Sequence, residues 1–233
     1  MDRYQIATAS VPLVVRMQVS ANFQQFCRYR KRTACGRMQV TANISNNFVF
    51  LRNEPQLQIP QSRRFIFYKL CNGILVDVFV RRIYFECIVE NLNYCAKEKG
   101  MEIYAWCIMP SHIHLVFKST NQKPEELIRD FKSYTSKKLI ALIEANVQES
   151  RREWLLNSFK KAGAANSNNA QNQFWQQHSH PTELWSANVI QQKMDYTHNN
   201  PVEAGFVEND YEYLYSSARD YCGIKGLVNI IID

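Results

Sequence analysis

His112 and His114 stand two residues apart in the segment Met109-Pro110-Ser111-His112-Ile113-His114-Leu115-Val116-Phe117. Side chains alternate faces along a strand, so the spacing sends both imidazoles out of one side and Ile113, Leu115 and Phe117 out of the other. Two imidazoles so placed can share one metal ion, although the pattern alone also fits two packed or exposed histidines. Tyr134 is the second candidate. It falls at the border of a stripe formed by Leu127, Ile128, Phe131, Thr135, Leu139 and Leu142 on a helix opening at Pro124-Glu125-Glu126. Arg129, Lys132, Lys137 and Lys138 lie around it. A phenol with a pKa of about 10 is a weak nucleophile until its anion is favoured by nearby cations. In this surround it could attack a phosphodiester while the cations neutralise developing charge, or it could simply pack its ring and leave its hydroxyl in water.

The elements that must position these residues are legible from periodicity. Phe65 to Leu70 reads as a strand, Cys71-Asn72-Gly73 as a turn and Ile74 to Val80 as a second apolar run of strand type. Helical spacing runs from Arg82 to Lys99, with Gly100 where a C-terminal glycine belongs. Ile103 to Met109 and His112 to Lys118 read as strands. Helices are expected over Pro124 to about Ala145 and Glu149 to Lys161, and from about Ala187 to His198, closed by Asn199-Asn200-Pro201. This order predicts an α+β domain, an antiparallel sheet with helices on one face, followed by a helical C-terminal segment.

Residues 1–60 differ from the rest. They hold few periodic apolar stretches, and Arg16-Met17-Gln18-Val19 returns as Arg37-Met38-Gln39-Val40. The expectation is a basic, poorly ordered or wrongly assigned extension, with residues 61–222 as the domain, a polar low-complexity loop at 164–173 and a tail at 223–233. Composition narrows the partner. The chain has 233 residues, 46% apolar, with a formal charge of +7, which favours anionic partners and nucleic acid first. Most of that charge is in residues 1–60, with 8 Lys and Arg against 2 Asp and Glu, leaving +1 for the remainder. The cluster around Tyr134 is therefore the better argument for DNA. Seven cysteines without a Cys-x-x-Cys pair speak against a zinc ribbon or disulfide scaffold and fit a reducing cytoplasm. No run approaches the roughly 18 apolar residues of a membrane helix, and no membrane partner is expected.

Met109 to Phe117 resembles the Met-Pro-Asn-His-Val-His-Leu signature of the HUH single-tyrosine transposases, of the insertion-sequence and REP-associated type, with Ser111 in the Asn position. Asp130 to Lys138 is similar to the segment carrying that family's tyrosine. Tyr196-Thr197-His198-Asn199-Asn200-Pro201-Val202-Glu203-Ala204-Gly205 resembles its Tyr-Ile-His-x-Asn-Pro-Val-x-Ala-Gly block, and Tyr215-Ser216-Ser217-Ala218 its Trp-Ser-Ser-Tyr ending. The resemblance implies a ferredoxin-like fold, a homodimer and single-stranded or hairpin DNA as substrate. It further implies cleavage through a 5′-phosphotyrosine at Tyr134, with His112 and His114 holding Mg²⁺ or Mn²⁺ and Arg129, Lys132, Lys137 and Lys138 contacting DNA. Relatives often place Gln or Asn one turn after the tyrosine; Lys138 occupies that place, with Asp130 or water as candidate substitutes, although Asp130 reads more readily as an ion-pair partner of Arg129 or a neighbouring lysine. The alternative is a relative that binds hairpins without cutting. Other candidates are weaker: His178 and His180 read as a polar connection, His198 as a helix-end residue, Trp154 as core, and Trp175 and Trp185 as residues that could stack on bases.

Overall fold

The computed structural model describes residues 64–165, 172–177 and 181–232. The expectations for residues 1–60, for most of the 164–173 loop and for His178 and His180 lie outside these described residues. Strand β1 (Phe65–Cys71) is followed by helix α1 (Arg82–Glu98), strands β2 (Met101–Ile108) and β3 (His112–Ser119), and helices α2 (Pro124–Ala145) and α3 (Arg152–Ala164). Strand β4 (Thr182–Leu184), helix α4 (Ala187–Glu203) and the short helix α5 (Ala218–Tyr221) complete the chain. The sheet order is β2-β3-β1-β4 and all neighbours are antiparallel, the ferredoxin-like arrangement. No helix among the described residues is long and apolar enough to cross a membrane.

Alternation along the strands divides the sheet into two chemically different faces. Ile66, Tyr68, Leu70, Trp106, Ile108, Ile113, Leu115 and Phe117 form the main core with Tyr84, Ile88 and Leu92 of α1 and Leu127, Phe131 and Leu139 of α2. On the other face a smaller cluster joins Phe67, Ala105, Val116 and Leu184 to Met194 of α4. The C-terminal helix thus covers part of the face that the first two helices leave open. The β2–β3 hairpin is closed by Pro110-Ser111, with Met109 N–H donating to His112 C=O at 2.8 Å and His112 N–H to Met109 C=O at 3.3 Å. This hairpin fixes the register that turns His112 and His114 to the α4 side.

Two expected elements differ. Ile74 to Val80 is a loop, because Asn72 draws its backbone away from any ladder: its Oδ1 accepts from Ile74 and Val76 N–H, and its Nδ2 donates to Val76 and Ser111 C=O. Val78 and Phe79 N–H both donate to Pro110 C=O, and Leu75 takes a left-handed φ of 52°. The second difference is that α4 runs through Asn199-Asn200-Pro201 to Glu203. It ends in a Schellman motif, with Gly205 at φ 74°, Gly205 N–H donating to Val202 C=O and Phe206 N–H to Pro201 C=O. Asn200 is therefore held on a helix instead of hanging in a turn.

Residues 213–217 and 231 close the β2 edge. Ile108 N–H donates to Tyr215 C=O, Ser217 N–H to Trp106 C=O and Ile231 N–H to Ile103 C=O. Val228, expected in a tail, is buried in the main core. Ser217 Oγ accepts from Trp106 N–H at 2.8 Å and lies 2.8 Å from His198 Nε2, tying α4 to β2. His198 is thus a structural tie, buried enough that its pKa is pushed down to about 4.

Two outcomes follow from this tie. Ser217→Ala leaves two buried polar groups without their partner, and a loss of about 1–3 kcal/mol is expected as a lower urea midpoint with unchanged slope. Because His198 stays neutral in the fold and charges in the unfolded chain, its contribution to stability is intact above pH ~6.5 and is lost as the pH falls toward about 4. A urea series across that window reads this loss, and His198→Gln should flatten it.

Candidate active site

His112 and His114 leave β3 on the same face, with ring centroids 4.7 Å apart and planes perpendicular. Ser111 Oγ lies 3.0 Å from His112 Nδ1, which orients that ring; with the proton on Nδ1, the Nε2 lone pair is available. His114 is wholly buried, stacked on Phe67 at 5.8 Å and met edge-on by Tyr196 at 5.2 Å. His112 Nε2 and both ring nitrogens of His114 are buried without a hydrogen-bond partner among the described residues. Such orphans are costly unless a ligand satisfies them.

The side chains facing this pair come from α4. Lys193, Tyr196 and Asn200 fall at i, i+3 and i+7, one stripe of a helix. Asn200 Nδ2 donates to Tyr196 C=O at 2.8 Å. The Asn200 amide lies near enough to both imidazoles to favour their charged forms, yet short of a hydrogen bond to His112 Nε2 or to either His114 nitrogen. Burial dominates the electrostatics. It pushes His112 down to about 4, helped by the charge of Lys69, and His114 to about 3, helped by His112 and Lys69. Both rings are therefore neutral at physiological pH, the form in which imidazole binds a metal. Two imidazole nitrogens and an amide oxygen make a mixed donor set that a divalent cation accepts; among the described residues no three of His, Cys, Asp and Glu converge.

Tyr134 is placed elsewhere. It is 60% exposed on α2, whose buried side packs on Ile113, Leu115 and Phe117, so the sheet separates it from the histidines of its own chain. The cations around it are largely engaged: Arg129 with Asp130 at 3.3 Å, Lys138 with Glu90 at 2.8 Å, and Lys132 Nζ with Gln176 C=O at 2.7 Å. Arg129, Lys132 and Lys137 line a cleft of about 860 Å³ between α2 and residues 172–177 with Pro181. Asp130 pairs with Arg129 and stays far from the metal-ligating role considered for it. Trp175 is buried, with Nε1 donating to Thr135 Oγ1 at 2.9 Å. Trp185 is exposed, with the Arg64 guanidinium 4.7 Å above its ring. Trp154, expected in the core, is half exposed, because α3 buries the stripe of Leu155, Phe159 and Gly163 and turns Trp154 away.

Tyr196 and Asn200 are the site residues to which the sequence assigns no role. Their signal is the stripe itself, a tyrosine with an amide one turn later, which is hidden if α4 is ended at His198.

Residues 77–160 match the family model described as "Transposase IS200 like". The matched span takes in both histidines and Tyr134 and ends before Tyr196. A solved structure, "Structure of the REP associates tyrosine transposase bound to a REP hairpin", is similar at 14% identity and a TM-score of 0.47, covering 83% of this chain and 94% of that one. No curated protein matches the chain. The segment that builds α1, β3 with its paired histidines and α2 is thus similar to the IS200-like transposase family over residues 77–160.

Proposed function

We propose that the chain is a DNA strand-transfer enzyme that cleaves single-stranded or hairpin DNA, with Tyr196 as nucleophile in place of the expected Tyr134. The observation that carries this reading is the edge-on approach of Tyr196 to His114 at 5.2 Å, on a helix that also brings Asn200 to the imidazole pair. The Tyr196 phenol adds to the phosphorus of one backbone phosphodiester and the bond to the 3′ oxygen breaks. The products are a 5′-phosphotyrosine and a free 3′ hydroxyl; the phenol proton passes to water and the departing oxygen takes one up. His112, His114 and Asn200 are the residues that would hold Mg²⁺ or Mn²⁺, which when bound polarises the phosphoryl oxygens. The protein's own part is to hold these donors rigidly: the hairpin sets the histidines, Ser111 orients His112, and the Schellman end of α4 keeps Asn200 in place.

A hairpin binder that does not cut is suggested by Lys138, one turn after Tyr134, and by the unusual composition of residues 1–60. Lys138 pairs with Glu90, and Asn200 stands one turn after Tyr196, so the lysine no longer speaks against cleavage. A homodimer, the assembly implied by the resemblance, would carry two such sites, each built from one chain. The free cysteines Cys71, Cys87, Cys95, Cys107 and Cys222 suit a reducing cytoplasm.

Incubation with hairpin DNA from the sequence flanking the gene, with Mn²⁺, should give a covalent adduct stable to denaturing electrophoresis. Tyr196→Phe is expected to abolish it and Tyr134→Phe to leave it intact; the reverse pattern refutes the assignment. Asn200→Ala should weaken Mn²⁺ binding by about 10-fold or more, measured by titration without DNA. Because both imidazoles are neutral until the pH approaches their lowered values, Mn²⁺ affinity should hold steady from pH ~8 to ~6 and fall only in more acid solution. An ordinary histidine site would already lose affinity near pH ~6.5.

A further inference from the structure

The histidine face carries two cations to which the chemistry above gives no task. Lys69 is the cross-strand partner of His114 in the β1–β3 register, so its exposed side chain leaves the sheet on the face of both imidazoles. Lys193 comes from the other side, on α4 one turn before Tyr196. Its Nζ lies 4.8 Å from the ring centroid of Phe67 and 5.4 Å from that of Tyr196. Among the described residues neither lysine makes an ion pair, whereas Arg129 and Lys138 on α2 both do. Among the described residues, none of the groups acting on the two imidazoles is a carboxylate.

Two ammonium groups converging on neutral imidazoles without a counter-charge repel each other and disfavour any proton on the rings. The arrangement becomes favourable when an anion enters between them. We propose that Lys69 and Lys193 form a phosphate clamp, holding the non-bridging oxygens of the scissile DNA phosphodiester between the sheet and Tyr196. The inference rests on reading this face as a tyrosine nuclease site. It adds the residues that bind the anion and compensate the charge gained as the phenol oxygen adds to phosphorus. The spacing supports one phosphate held from two sides, since β1 supplies one ammonium and α4 the other. A single edge of the sheet could not do this. Lys193 also restrains the nucleophile, because its ammonium sits over the aromatic face of Tyr196.

Two measurements on the full chain separate this clamp from the nuclease reading beneath it. In the first, binding to a ~20-nucleotide oligothymidine is followed without metal between ~50 and ~200 mM salt. The double variant Lys69→Gln/Lys193→Gln should lower the salt slope by about 0.7, the value for one phosphate no longer neutralised on a single strand, while Lys69→Arg/Lys193→Arg keeps it. Retention by the Arg pair shows that charge, not folding, is read. In the second, single-turnover adduct formation at saturating hairpin DNA should fall by about 10²-fold in the Gln pair and recover at least in part in the Arg pair. An unchanged slope together with a wild-type adduct rate in the Gln pair overturns the clamp. A lowered slope in a protein whose wild type forms no adduct retains the anion site and overturns the nuclease reading instead.

Discussion

His112 and His114 can act together only because β3 is pinned between β1 and β2, in a register that a shift of one residue would destroy. A one-residue slip would turn both imidazoles into the core with α1 and α2 and send Ile113, Leu115 and Phe117 to the α4 side. The tight Pro110-Ser111 hairpin sets that register at one end, and the wholly buried Ile113, Leu115 and Phe117 enforce it along the strand. The features that make the core stable are thus the ones that aim the histidines. Burying those side chains contributes roughly 1.5–3 kcal/mol each, which offsets a cost of about 1–3 kcal/mol for each imidazole nitrogen left without a partner on the other face.

That cost is concentrated where the chemistry is. Three imidazole nitrogens at His112 and His114 are buried without a partner among the described residues, while the third described imidazole, His198, has its Ser217 partner. The contrast separates two roles for similar residues on neighbouring elements. His198 ties α4 to β2 and so fixes the helix that presents Tyr196 and Asn200. His112 and His114 have no such partner among the described residues, which is the basis for proposing them as ligands. Lys69 and Lys193 add positive charge to the same face, and among the described residues no carboxylate acts on the rings, the charge balance on which the proposed anion clamp rests.

Much of this was legible in the residues. The alternation in His112 to Phe117 identified the strand and the shared face of the histidines, and the stripe of Leu127, Phe131, Thr135 and Leu139 identified α2 and its buried side. Two local rules misled. Asn199-Asn200-Pro201 reads as a helix stop, yet a proline near the end of α4 leaves the last turn closed by Gly205, and the stop hid the Tyr196–Asn200 pair. Ile74 to Val80 has strand composition, but the Asn72 side chain takes up its backbone groups, and the fourth strand is the short Thr182–Leu184. The basic surround of Tyr134 was real in sequence and largely neutralised in space, since charges on a helix surface find partners that spacing alone does not reveal. Which tyrosine faces the histidines is a property of the sheet's two sides, and only the packing of α2 and α4 on opposite faces decides it.

The central claim, that α4 and not α2 supplies the nucleophile to the paired histidines, is tested most directly by locating the covalent bond. The wild-type chain is trapped on cleaved DNA, digested with protease and nuclease, and the nucleotide-bearing peptide is sequenced by mass spectrometry. The account predicts a residual phosphonucleotide on Tyr196. A modified peptide carrying it on Tyr134 would contradict the account.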